Sequence, residues 1–167
     1  MAKTILGLLG WFLITFIAAG IGAWGSASAP SFYQSLSLPS WAPPASLFGP
    51  VWTVLYSLMA IAAWLVWKRA GLLGVARTAL LLYLLQLVAN ALWSWAFFAW
   101  HHGSLAFGII IVLWAVLLVT LVRFWRIKPV AGMLLLPYLA WISFAAALNF
   151  AVWQLNPSLL CFSRFAC

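Results

Sequence analysis

Three tryptophans stand where a headgroup belt does not explain them. Trp93 and Trp141 lie well inside apolar runs, and Trp52 sits about two turns into another. Indole offers a large rigid face and one N–H donor, which is what a flat polycyclic ligand needs. Interior packing accounts for the same positions, and residue type alone leaves both readings open. At helical spacing Trp52, Tyr56, Met59 and Ala63 share one face. So do Gln86, Asn90, Trp93 and Phe97, and so do Trp141, Ala145, Leu148 and Val152, with Asn149 beside them. Amides within apolar runs should face protein or a cavity rather than lipid. Interhelical hydrogen bonds are expected for Gln86 and Asn149, with Asn90 left open between that role and a ligand.

Other chemistry is excluded by composition. The 167 residues contain no Asp or Glu. A carboxylate dyad, a Ser-His-Asp triad and a carboxylate metal cage are therefore out of reach. Glycosidases, aspartic proteases, di-iron carboxylate enzymes and most ion-coupled transporters go with them. His101 and His102 are neighbours whose side chains diverge on a turn, a poor bidentate metal site. An interfacial loop pair is the simpler reading, with a single haem axial ligand as the rival. Cys161 and Cys167 are spaced to close a disulfide or to stay free in a terminal segment. No metal site is expected.

The elements that must position these groups are membrane helices. Apolar residues make up 68% of the chain and charged ones only 5%, too few to solvate an exterior of this size. Five runs are long enough to cross about 30 Å of hydrocarbon: Ile5–Gly25, Ser46–Trp67, Ala76–Trp100, Gly103–Phe124 and Pro129–Leu155. The expected fold is all-α, a single integral membrane bundle of five transmembrane helices over residues 1–167. Pro30, Pro39, Pro43 and Pro44 make residues 26–45 a long loop. Gly71 and Gly74, His101 to Gly103, and Lys128-Pro129 mark the remaining turns, and Pro137 should kink the fifth span rather than end it.

Lys3, Lys68, Arg69, Arg77, Arg123, Arg126 and Lys128 fall on one side of this topology and Arg164 on the other. That asymmetry puts the N-terminus on the positive side, cytoplasmic in an inner membrane. The net charge of +8 is assigned to anionic headgroups and not to nucleic acid, because the cations sit beside apolar runs. Lys3, the first run and Ala27-Ser28-Ala29 also fit a secretory signal. The long apolar stretch and Pro30 after the cleavage point favour a retained helix. Trp11, Trp24, Trp64, Trp67, Trp100, Trp125 and Trp153, near span ends, suit an aromatic belt. Ala18 with Gly22, Ala19 with Ala23, and Ser143 with Ala147 and Ala151 permit close helix contacts and a dimer.

Three co-linear blocks carry a family likeness. They are Pro39-Ser40-Trp41-Ala42-Pro43-Pro44 with Phe48-Gly49-Pro50-Val51-Trp52 and Tyr56; Gln86, Asn90 and Trp93 with Phe97-Phe98; and Pro137-Tyr138-Leu139-Ala140-Trp141 with Phe144-Ala145 and Leu148-Asn149. Together they resemble the tryptophan-rich sensory protein/translocator protein family, which includes the peripheral-type benzodiazepine receptor. The resemblance implies a five-helix bundle, often dimeric, binding protoporphyrin IX or a haem-like tetrapyrrole in a cavity open toward the first loop. It also implies isoquinoline carboxamides as ligands and, in some bacterial members, light- and oxygen-dependent porphyrin degradation tied to Trp52 and Trp141. Ligand contacts carried over are Trp41, Pro44, Trp52, Tyr56, Asn90, Trp93, Trp141, Phe144, Ala145 and Leu148. Porphyrin enters as ligand, and no cofactor is required. A ligand-controlled assembly partner is a third reading. Departures are Phe32 where many members have Trp, Leu38 where many have Lys, and Phe150 and Gln154 at the sterol consensus, which argue against tight cholesterol binding.

Overall fold

A computed structural model describes residues 2–160, and the expectations for Cys161, Arg164 and Cys167 lie outside them. Five helices are long and apolar enough to span a membrane, in an all-α bundle without strands among the described residues. Helix α1 runs Ala2–Gly25, α3 Phe48–Ala70, α4 Val75–Ser94 and α5 Gly103–Ile127. The fifth span is built from α6, Pro129–Met133, and α7, Leu136–Leu155. The chain is a multi-pass membrane protein.

Helix α1 is the outer member. Only Trp11, Thr15, Gly22 and Gly25 of its 24 residues are buried, a narrow stripe resting on α3 and α4. Leu6, Leu9, Leu13 and Ile17 stay exposed, which suits acyl chains and not water. Helix α5 packs between α4 and α7, and its Ile110, Leu113, Leu117 and Phe124 are fully buried. The turn after α3 has Gly71 at φ 70° and Gly74 at φ 68°, left-handed backbone that glycine enters without steric penalty.

Residues 26–45 are not loop throughout. They contain α2, Ala29–Ser35, with Pro30 in its first turn. Proline is tolerated there because the first N–H groups of a helix have no intrahelical acceptor anyway. A 3-10 turn, Ala45–Leu47, then leads into α3. Pro137 does more than kink the fifth span. Lacking an N–H, it cannot bond the Met133 carbonyl, and the helix ends at that residue, with Leu134 and Leu135 in a turn before α7. One further irregularity has no proline to announce it. Trp95–Ala99 form a π turn, closed by Trp100 N–H donating to the Trp95 carbonyl at 2.9 Å.

Tryptophans fasten several helix ends. A methyl group added at Gly25 would come within 2.6 Å of the Trp95 ring. The corresponding distance is 2.7 Å from Gly103 to Trp153 and 2.8 Å from Gly132 to Trp125. Gly7 meets the Trp67 ring in the same way. Trp11 is not a belt residue: it is buried, edge-on to Tyr83 at 5.8 Å between ring centres.

Candidate functional site

A cavity of about 640 Å³ lies among α1, α2, α3, α4 and α7. Its walls are aromatic. From α3 come Phe48, Trp52 and Tyr56; from α4 and the π turn Trp93, Phe97 and Phe98; from α7 Trp141 and Phe144. Two small-residue stretches of α1, Ala19-Gly20 and Gly22-Ala23, leave room for it, while Ala29, Pro30 and Tyr33 of α2 line one end. No lining residue is charged.

The rings fall into three contacting groups, one around each of Trp52, Trp141 and Trp93. Trp52 is 5.4 Å from Tyr56 and 6.1 Å from Tyr138. On the α7 side, Trp141 lies 5.5 Å from Phe144 and edge-on to Phe48 at 6.0 Å. Trp93 stacks on Phe97 at 6.1 Å. Edge and offset arrangements of this kind are the favoured ones, because each ring has a negative face and a positive rim.

The polar groups divide into those already committed and those still available. Trp93 donates its indole N–H to Asn149 Oδ1 at 3.0 Å, and Asn149 Nδ2 donates to the Gly103 carbonyl at 3.3 Å. The interhelical role expected for Asn149 is thus present. Asn90, left open on sequence, does the same work: it accepts from the Tyr56 hydroxyl at 2.9 Å and donates to Tyr138 at 2.6 Å. Those two bonds tie α3, α4 and α7 together beneath the cavity. Gln86 departs from expectation, since its amide is fully buried with neither atom hydrogen-bonded. Trp52 and Trp141 are only partly covered and make no side-chain hydrogen bond to another described residue.

Eight of the ten candidate ligand contacts line this one space: Trp52, Tyr56, Asn90, Trp93, Trp141, Phe144, Ala145 and Leu148. Trp41 and Pro44 do not. Trp41 is half exposed and packs edge-on to Phe144 at 5.7 Å, covering the cavity wall from outside. Pro44 precedes the turn into α3 and is exposed. Among residues the stripes did not single out, Phe16, Tyr33 and Phe48 join the lining. Phe48 was visible as a neighbour of Gly49-Pro50. Nothing in helical spacing pointed to Phe16 or Tyr33.

Segment 26–45 is fixed over that end at several points. Tyr33 donates to the Pro43 carbonyl at 2.9 Å, and burial pushes its phenol pKa up. Asn156 Oδ1 accepts from Ser37 N–H at 2.8 Å while its Nδ2 donates to the Ser37 carbonyl at 2.9 Å. His101 stacks on Phe32 with ring centres 4.0 Å apart, and His102 Nδ1 accepts from Leu105 N–H, capping α5. Neither histidine lines the cavity, so neither is placed to ligate an iron there.

Five spanning helices, four of which enclose an aromatic, uncharged cavity together with α2, define a multi-pass membrane protein with an apolar interior pocket. The TspO/MBR family model matches residues 11–154, and the chain belongs to that family. It is 38% identical to Protein CrtK of Rhodobacter capsulatus over 148 residues, 87% of this chain and 92% of the relative. It is 36% identical over 165 residues to Tryptophan-rich protein TspO of Chlorobaculum tepidum, covering 94% and 100%. The Translocator protein of Sus scrofa is 35% identical over 156 residues, covering 92% and 87%.

Proposed function

We propose that this protein is a membrane receptor, sensor or carrier for tetrapyrroles of the protoporphyrin IX type. The observation that carries the reading is a single apolar cavity walled by both Trp52 and Trp141. Its volume, about 640 Å³, falls inside the range of roughly 300–1,000 Å³ of small-molecule sites. The macrocycle stacks on indole and phenyl faces, and its carboxylates turn toward the α2 end and water, because no lining cation is there to neutralise them. Isoquinoline carboxamides compete for the same space. The names of the relatives, translocator and tryptophan-rich sensory protein, agree with a ligand-handling role. The seven-to-one division of cations supports an N-terminus on the positive side, which is cytoplasmic in an inner membrane. Exposed Ser143 and Ala147 on α7 leave a surface on which two copies can meet.

Quenching of tryptophan fluorescence by protoporphyrin IX tests the site. The Trp52→Phe/Trp141→Phe variant should bind more weakly, and unchanged affinity removes the site. A second reading, oxidation of the bound porphyrin by oxygen under light, is supported by the oxidisable ring of Trp52 on the wall, 5.4 Å from Tyr56 and 6.1 Å from the buried Tyr138 between ring centres. Under identical illumination the porphyrin should then bleach faster with wild type than with Trp141→Phe. Equal rates reject catalysis.

A further inference from the structure

The interior of the bundle carries a polar seam along α4 whose hydrogen bonds do not balance. Tyr83, Gln86 and Asn90 recur at i, i+3 and i+7, so they share one stripe. Each is exposed by 1% or less. Thr15 spends its proton on the Trp11 carbonyl at 2.7 Å, so its 2.6 Å bond with Tyr83 must be donated by the Tyr83 hydroxyl. The Tyr83 oxygen keeps accepting capacity. Further along, Tyr56 donates to Asn90 Oδ1 and Asn90 Nδ2 donates to Tyr138. The second N–H of Asn90 and the hydroxyl proton of Tyr138 then have no acceptor among the described residues.

Gln86 stands on the same stripe between these two groups, with two N–H donors and a carbonyl, all buried and none hydrogen-bonded. An amide left this way in an apolar interior is costly. Unspent donors and unspent acceptors thus lie on either side of it. A water molecule both donates and accepts: it has hydrogens for the Gln86 carbonyl and the Tyr83 oxygen and lone pairs for two of the four unspent donors, so it relieves most of this deficit.

We propose that Gln86 binds a buried water molecule, bridging it to the Thr15–Tyr83 pair on one side and the Tyr56–Asn90–Tyr138 group on the other. The seam then runs without a break from the floor of the aromatic cavity, where Tyr56 and Asn90 are wall residues, into the contact between α1 and α4. The inference does not depend on which ligand the cavity holds.

Selective ¹⁵N labelling of glutamine tests it in the full chain reconstituted in lipid. Three side-chain amides report, from Gln34, Gln86 and Gln154, and the Gln86 pair is the one that vanishes in Gln86→Met. The Gln86 protons should show cross-relaxation with a long-lived water. Tyr138→Phe should weaken that signal by removing one partner, and Gln86→Met should lower Tm. A Gln86 amide with no water cross-peak overturns the proposal. So does a higher Tm in Gln86→Met, the result expected of an amide that is only orphaned. Should Gln86→Met fail to fold, Gln34→Met and Gln154→Met, both at exposed positions, assign the remaining pair by elimination.

Discussion

Tryptophan does two different jobs in this molecule, and what lies opposite each ring decides which. Trp67, Trp95, Trp125 and Trp153 each press on a glycine of another helix segment, and the indole N–H of Trp95 also reaches the Ile21 carbonyl at 2.9 Å. Their faces are spent on backbone. Trp52 and Trp141 pack edge-on to Tyr138 and Phe48 and turn the rest of their surface to the cavity, with no side-chain hydrogen bond to another described residue. One set holds the bundle and the other is held by it. Between them sits Trp93, which lines the cavity yet has given its N–H to Asn149.

The largest effect should come from filling a glycine seat. Gly132→Val puts its side chain within 2.8 Å of Trp125 and 2.9 Å of that residue's own Cα, which cannot move aside. Overpacking of this kind costs about 1–3 kcal/mol, so thermal unfolding in detergent should shift down while ligand affinity per folded molecule holds. Trp52→Leu/Trp141→Leu should invert that pattern. Two lost stacking partners at about 0.5–1.5 kcal/mol each predict a Kd for protoporphyrin roughly 5- to 150-fold weaker, with little change in Tm. If both variants lose stability and affinity together, the two classes of tryptophan are one.

Asn90→Leu should sharpen the comparison at the border between the regions. It strands the hydroxyls of Tyr56 and Tyr138, at a cost of about 1–3 kcal/mol in unfolding free energy, and it also loosens the floor of the cavity. Both readouts should therefore fall. The smallest effect concerns Tyr33. Its pKa is raised in the folded chain, so the stability held by protonated Tyr33 is complete below the ordinary phenol pKa of 10.0 and drains away as pH climbs past it. The protection factors of the α2 amides, with the intrinsic base catalysis of exchange divided out, should fall above about pH 10 in wild type. Tyr33→Phe should remove most of that dependence.

The five spans were legible because proline and glycine punctuate an otherwise unbroken apolar chain. Eight cavity residues were legible because stripes on α3, α4 and α7 and the family blocks converge on the same positions. What escaped reading depended on partners distant in sequence. Trp11 and Trp67 look alike near span ends, yet one is seated in the interior beside Tyr83 and the other on Gly7. Pro30 looked like a helix breaker because its place within the first turn of α2 cannot be known until the turn is placed. The isolation of Gln86 is likewise invisible to spacing: its stripe is helical and correct, but no neighbouring side chain answers it.

The π turn at Trp95–Ala99 has a consequence for comparing this chain with its kin. A ring closed five residues along holds one residue more than the regular coil, so a relative one residue shorter between Ser94 and Trp100 could thread the same scaffold simply by tightening that ring. Insertions and deletions at that point should be tolerated where a membrane helix elsewhere would rotate every later side chain out of phase.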